Sequence, residues 1–280
     1  MTEPTIIRIA WLGDIVGKAG RAAAANAVKV LRASPNPPHL IVADAENARH
    51  GRGLHPEGYE ELRAAGIDVL TLGDHVLDDP RILPMLKDPK APVIAPINMD
   101  LSEGVKRRWT TATDPPLVFL IVLGRIFMRT EFPDPFAALD AAMESISADH
   151  PGAMVMLEVH AEATSEKQAL AWHARLKWGG DAPDPSHARI VSVVGSHTHV
   201  QTSDARLIDD QVAVLTDLGM TGSSRSVIGF LIEGSIARLK TPPSGSLDVA
   251  EESPVAHGAM VEIDTARRCA IAISTLRIPR

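Results

Sequence analysis

The sequence predicts an α/β fold. Short apolar runs alternate with amphipathic segments along most of the chain, the Pro and Gly residues gather between them, and no internal repeat or low-complexity tract breaks the pattern. Length and composition agree: 280 residues with 45% hydrophobic and 22% charged side chains can bury a core and do not resemble a disordered chain.

Taken in order, residues 6–12 form an almost wholly apolar strand, and 19–32 carry helical spacing. A strand at 40–43 is followed by a helix at 56–65 opening on Pro56, then a strand at 69–72 and a helix at 79–86 opening on Asp79. Strands at 93–95 and 117–123 precede a helix at 135–146 that opens on Pro135, and a strand at 154–159 leads to a helix at 165–176 opening on Ser165. Strands at 190–194 and 212–215, a helix at 232–239 and two closing strands within 256–277 complete the series. Residues 177–187 and 241–253 read as polar surface breaks, and neither marks a domain boundary, so a single domain over 1–280 is expected.

Composition excludes several functions. With aromatic residues at 4% there is no stacking platform for single-stranded nucleic acid, and a net charge of −7 is no trap for polyanions, so stable nucleic-acid binding is not expected. The longest apolar runs, such as 117–123, are far too short to span a membrane, and residues 1–11 lack a basic region followed by a long apolar stretch; a cytoplasmic location is the expectation. The lone Cys269 can form no internal disulfide and no thiolate cluster, and it reads as a small buried hydrophobe. Any metal site must therefore use imidazole, carboxylate and amide ligands.

Such ligands stand directly after the apolar strands. Asp14 follows residues 6–12, Glu46 and Asn47 follow 40–43, Asp74 and His75 follow 69–72, His160 ends 154–159, and His197 and His199 follow 190–194. Each piece alone has an ordinary explanation, since Gly-Asp after a strand is common turn or cap chemistry. Five such sites are another matter, because in open α/β sheets ligands bind in the crevice at the carboxyl ends of the strands. Three carboxylates, one amide and four imidazoles are too many for one ion and suit two ions sharing a bridging carboxylate, with manganese, iron or zinc favoured over magnesium or calcium. Two neighbouring ions activate water and neutralise a phosphoryl group, so phosphoester hydrolysis is the chemistry this inventory fits.

Longer strings carry a resemblance: GDIVGKAGR from Gly13, AENA from Ala45, LGDH from Leu72, HAEATSEK from His160, GSHTHVQT from Gly195 and TDLGMTG from Thr216, extended by GRIFM from Gly124 and SVIG from Ser226. In these the chain resembles the calcineurin-like metallophosphoesterases and, within them, the YmdB-type cyclic-nucleotide phosphodiesterases. The resemblance implies a sandwich of two mixed β-sheets flanked by helices, with two metal ions, Fe and/or Mn with Zn as an alternative, at one end. It further implies that Asp14 and His199 ligate the first ion with Asn47, that Glu46 bridges, and that Asp74, His160 and His197 hold the second. His75 would be no ligand but would assist the leaving oxygen after attack by a metal-bridging hydroxide. The implied substrates are small phosphodiesters of the 2′,3′- or 3′,5′-cyclic AMP class, and the implied assembly is a homo-oligomer. A phosphomonoesterase and a regulatory metal- and nucleotide-binding protein with little turnover are the competing readings.

Three departures from that family matter. Its usual GNH is here Gly73-Asp74-His75, which adds a negative charge and should make the second ion tighter bound and less acidic. After ENA the chain continues RHGRGL, so Arg49 and Arg52, with His50, Lys18, Arg21 and Arg225, are candidates for a cationic rim that holds a further anionic group of the substrate. The third is the loop 177–187, read as a passive surface segment; beside it Trp172 is expected in the core. Asp217 and Glu162 are expected to orient imidazoles.

Overall fold

A computed structural model describes residues 6–180 and 186–279, and residues 181–185 of the predicted surface loop lie outside that range. The strands are β1 (Ile6–Leu12), β2 (Asp14–Ile15), β3 (Leu40–Asp44), β4 (Val69–Thr71), β5 (Val93–Ile94), β6 (Arg108–Thr110), β7 (Leu117–Leu123), β8 (Met154–His160), β9 (Arg189–Ser196), β10 (Arg206–Ile208), β11 (Val212–Leu215), β12 (Met220–Ser223), β13 (Pro254–Asp264) and β14 (Cys269–Pro279). The helices are α1 (Gly17–Arg32), α2 (Pro56–Ala65), α3 (Leu83–Lys87), α4 (Pro135–Asp149), α5 (Thr164–His173) and α6 (Ile232–Leu239).

Two mixed sheets result, as the resemblance implied. One has the order β2-β12-β13-β1-β3-β4-β5 with β14 on β13; the other runs β10-β11-β9-β8-β7-β6. The β1, β3, β4 and β5 ladder is parallel, as is the β7, β8, β9 and β11 ladder, so in each sheet several strands end on the same side. Strands such as LVFLIVL are buried along their whole length, which requires cover on both faces.

That cover comes in three apolar layers. Between the sheets, Ile9, Trp11, Val42 and Val69 meet Phe119, Met154, Met156 and Val194, with Trp11 and Phe119 edge to face at 5.8 Å. Outside the first sheet, α1 presents Ala23, Ala24, Ala27 and Val28 to a layer shared with Leu62 of α2 and Leu86 of α3. Outside the second, Leu139 and Met143 of α4 and Leu170 of α5 close the sandwich. The helix starts follow their caps: Asp134 accepts the N–H of Phe136 ahead of α4, and Pro56 and Pro135 each occupy a first turn.

Two expectations need correction. The helix predicted to 176 ends as α5 at His173 and passes into a π-helical turn over Ala174–Trp178. Trp172, in the last turn of α5, is 44% exposed and not in the core, whereas Trp178 packs partly buried and donates its indole N–H to Asp140 Oδ1 at 2.7 Å. Cys269 is buried, as expected. Among the described residues, no helix is long and apolar enough to cross a membrane.

Candidate metal centre

The parallel ladders bring the strand-end residues to one crevice between the sheets. Asp14 opens β2, Asp44 ends β3, and Glu46 and Asn47 lie in the turn beyond it. Asp74 and His75 follow β4, His160 ends β8, and His197 and His199 follow β9. Gly73 is needed here: a Cβ would collide with Glu46 Oε2 and with the His160 ring. His197 and His199 both have positive φ, 93° and 65°, a conformation L side chains avoid unless the surroundings impose it.

His160 Nε2 is the hub. It lies 3.1 Å from Asp74 Oδ1, 3.2 Å from Glu46 Oε1 and 3.0 Å from His197 Nδ1, so Glu46, Asp74, His160 and His197 can all direct a ligand atom at one point. The other group centres on Asp14: its Oδ1 is 3.7 Å from His199 Nε2, which is itself 3.2 Å from Asn47 Oδ1. His199 Nδ1 donates to the Ile228 carbonyl at 2.8 Å, which leaves the Nε2 lone pair for a ligand. His160 is fixed in the same way: Ser196 Oγ donates to Glu158 Oε1 at 2.6 Å and so accepts from His160 Nδ1 at 2.8 Å. His75 is turned differently, with Nδ1 2.9 Å from Asp78 Oδ2 and its backbone N–H on Glu46 Oε2.

Charge is out of balance in this crevice. Asp14, Asp44, Glu46 and Glu158 are buried and Asp74 nearly so, yet among the described residues no Lys or Arg forms an ion pair with any of them. Burial and repulsion from Glu158 push the Asp44 carboxyl well above its ordinary value, and burial raises Glu158 as well. Burial would also raise Asp14 and Asp74, but the neighbouring imidazoles outweigh it and hold both carboxyls low. His160, disfavoured as a cation by burial, is nonetheless driven well above its usual range by Glu46, Asp44 and Asp74. Asp14 Oδ1 and Asp44 Oδ2 remain buried without a hydrogen-bond partner. Orphaned carboxylate oxygens beside imidazole lone pairs are the donor set of a divalent cation, and the residues fit one.

All seven residues expected to act as ligands, and His75, border this crevice, and the sequence reading overlooked three more. Asp44 was hidden inside the ADAEN stretch; Glu158 is the one acid in the otherwise apolar MVMLEV, and Ser196 stands between Gly195 and His197. Glu162 approaches His197 Nε2 at 3.3 Å, as expected of an orienting acid. Asp217 touches no imidazole; it receives Lys167 Nζ at 2.6 Å and Thr198 Oγ1 at 2.7 Å, and so fixes the residue between His197 and His199.

The cationic rim does not assemble as expected. Arg49 is bound to Asp79 at 2.8 Å, Arg21 to Glu61, and Arg225 to Glu252, each a local carboxylate that occupies the guanidinium. Arg52 alone of that set lines the cavity above the crevice, a space of about 540 Å³, where it meets Arg129 and Arg238, which no local pattern singled out.

A two-sheet sandwich with acids and imidazoles gathered at the strand ends defines a protein of the metallophosphoesterase type. The YmdB-like protein family model matches residues 10–276, and the chain belongs to that family. It is 32% identical over 273 residues, 97% of each chain, to the Bacillus subtilis protein named 2′,3′-cyclic-nucleotide 2′-phosphodiesterase. Among solved structures it is similar to a Mycoplasma pneumoniae protein titled a novel phosphatase, at 25% identity and a TM-score of 0.85, covering 99% of this chain and 94% of that one. A hypothetical protein of Thermus thermophilus matches at 31% identity and a TM-score of 0.84, covering 98% of this chain and 100% of that one.

Proposed function

We infer that this chain is a single-domain, metal-dependent phosphoric ester hydrolase that cleaves small phosphodiesters of the cyclic-nucleotide class. The observation that carries the reading is the buried acid excess: carboxylates with orphaned oxygens, beside imidazoles that face them through Nε2 of His160 and His199 and Nδ1 of His197, call for cations that the protein's own Lys and Arg do not supply. The naming of the Bacillus subtilis relative supports the diester class. The phosphatase title of the Mycoplasma structure favours monoesters as the second reading.

In this reading Asp14, Asn47 and His199 would hold one ion and Asp74, His160 and His197 a second, with Glu46 available to both. Iron and manganese suit the mixed oxygen and imidazole donors, and zinc is the alternative. Bound ions supply Lewis acidity, a water of lowered pKa and charge neutralisation at phosphorus. The residues do the rest. Ser196 and the Ile228 carbonyl keep the Nδ1 atoms of His160 and His199 protonated, which would leave Nε2 of both rings for a metal. Asp78 clamps His75 Nδ1, which leaves Nε2 to pass a proton to the leaving oxygen.

Hydrolysis of bis(p-nitrophenyl) phosphate after chelation and after return of manganese tests the reading. Turnover should be restored by the metal in the wild-type protein and abolished by Asp14→Ala and His75→Ala. Chelation without effect, or no turnover with two ions bound per chain, would sink it.

A further inference from the structure

The cavity above the crevice is larger and more cationic than a single scissile phosphate requires. Arg52, Arg129 and Arg238 come to it from three separated parts of the chain, and among the described residues none of their guanidinium groups has an ion-pair or hydrogen-bond partner. This contrasts with Arg21, Arg49, Arg81 and Arg225, each tied to a carboxylate. A second observation points to a ligand in the same place: Ser235 of α6 lines the cavity, is only 4% exposed, and its hydroxyl has no hydrogen-bond partner. A buried hydroxyl left unpaired normally costs stability unless something completes it.

The remaining wall is apolar. Phe127 stands at the mouth, 84% exposed and held at φ 64°, a conformation that presents its ring to solvent at a cost in backbone strain. Phe230 and Leu247 also line the cavity. The acids of the cavity are already engaged: Asp74 and Glu162 face His197 at 3.5 and 3.3 Å. The volume of about 540 Å³ falls within the roughly 300–1,000 Å³ of ordinary ligand sites.

The geometry points to a second anion subsite, formed by Arg52, Arg129 and Arg238 with Ser235, that selects nucleotide phosphodiesters bearing a further, non-scissile phosphate. The metal crevice takes the scissile diester, planar guanidinium forks grip the second phosphate in bidentate fashion, and the phenyl and aliphatic wall takes the base. The inference rests on the hydrolase reading for its substrate, but its test does not depend on turnover.

The test is equilibrium binding of adenosine 3′,5′-bisphosphate and of AMP to the manganese-loaded full chain. The wild-type protein should bind the bisphosphate at least about tenfold more tightly, the scale of one charge-assisted hydrogen bond. Arg129→Ala and Arg238→Ala should each erase most of that preference, whereas Arg225→Ala, whose guanidinium pairs with Glu252, should keep it. Equal affinity for the two ligands in the wild-type protein, or a preference that survives both substitutions, overturns the subsite. Turnover of bis(p-nitrophenyl) phosphate is read alongside. Turnover without the bisphosphate preference refutes the subsite alone; preference without turnover supports the subsite and counts against the hydrolase reading.

Discussion

Two buried charged clusters lie within a few residues of each other and are built on opposite rules. Lys167 and Asp217, 3% and 1% exposed, are closed: Asp217 Oδ2 receives Lys167 Nζ at 2.6 Å and the Thr198 hydroxyl, and Oδ1 receives the Gly219 N–H at 2.8 Å. The crevice beside them is open, with the Asp44 and Glu158 carboxyls both raised by burial and oxygens of Asp14 and Asp44 left without a hydrogen-bond partner. The fold can therefore supply a lysine to a buried acid where the task is to brace the His197–His199 turn. Where it supplies none, imidazoles alone face the acids, which is the imbalance that the proposed metal ions would answer.

The sharpest way to break the comparison is Lys167→Met, which strands Asp217 without its cation and should cost roughly 3–5 kcal/mol of unfolding free energy by denaturant titration. A loss below about 1 kcal/mol would show that the pair is dispensable. Next, manganese at one hundred times its dissociation constant should stabilise the wild-type protein by about 2.7 kcal/mol, and Asp14→Asn or His160→Ala should remove that gain. Thermal melts with and without the ion decide it.

A smaller effect should have the opposite sign to Lys167→Met. Asp44→Asn keeps the oxygen that accepts the Glu46 N–H at 2.9 Å and deletes a charge repelled by Glu158. In chelator it should leave stability unchanged or raise it by about 1 kcal/mol, while metal uptake measured by elemental analysis falls. The pH dependence follows from the same sign. Because Asp44 and Glu158 are raised in the folded state, their contribution is fully present below about pH 4 and is lost as pH rises through their elevated values, so chelated wild type should fall behind Asp44→Asn on going from acid to neutral pH. The smallest effect belongs to Asp204, pulled down to about 2 because hydrogen bonds from Thr216, Thr202 and Arg206 outweigh its burial. Its contribution is present above about pH 4 and disappears as pH falls towards 2, so Asp204→Asn should flatten only the acid limb of the stability curve.

The strands were legible because they are apolar throughout: 6–12, 117–123 and 212–215 coincide with β1, β7 and β11. Short pieces such as β2 and β12 were not, since DI and MTGS have too few residues to show a period and exist through their pairing with each other and with β13. The ligand candidates were legible because a strand end is a local address, which a parallel ladder turns into a shared crevice. Asp44, Glu158 and Ser196 escaped notice because they act through other side chains and carry no spacing of their own. Sequence proximity misled at the rim. Arg49, Arg21 and Arg225 lie near the ligand motifs but are captured by Asp79, Glu61 and Glu252, whereas Arg129, just after GRIFM, and Arg238 of α6 line the cavity from segments that carry no ligand candidate.

Strand β1, which delivers the chain to Asp14, lies between β3 and β13, with Ile6 opposite Asp264 and Leu12 opposite Gly258. During biosynthesis, then, β1 must wait with one edge bare until residues 254–264 have been made, because its second neighbour lies far along the chain from it. Nascent or truncated chains ending before that point would present this apolar edge to one another, and aggregation rather than a partly active fragment is the expected fate of such a chain.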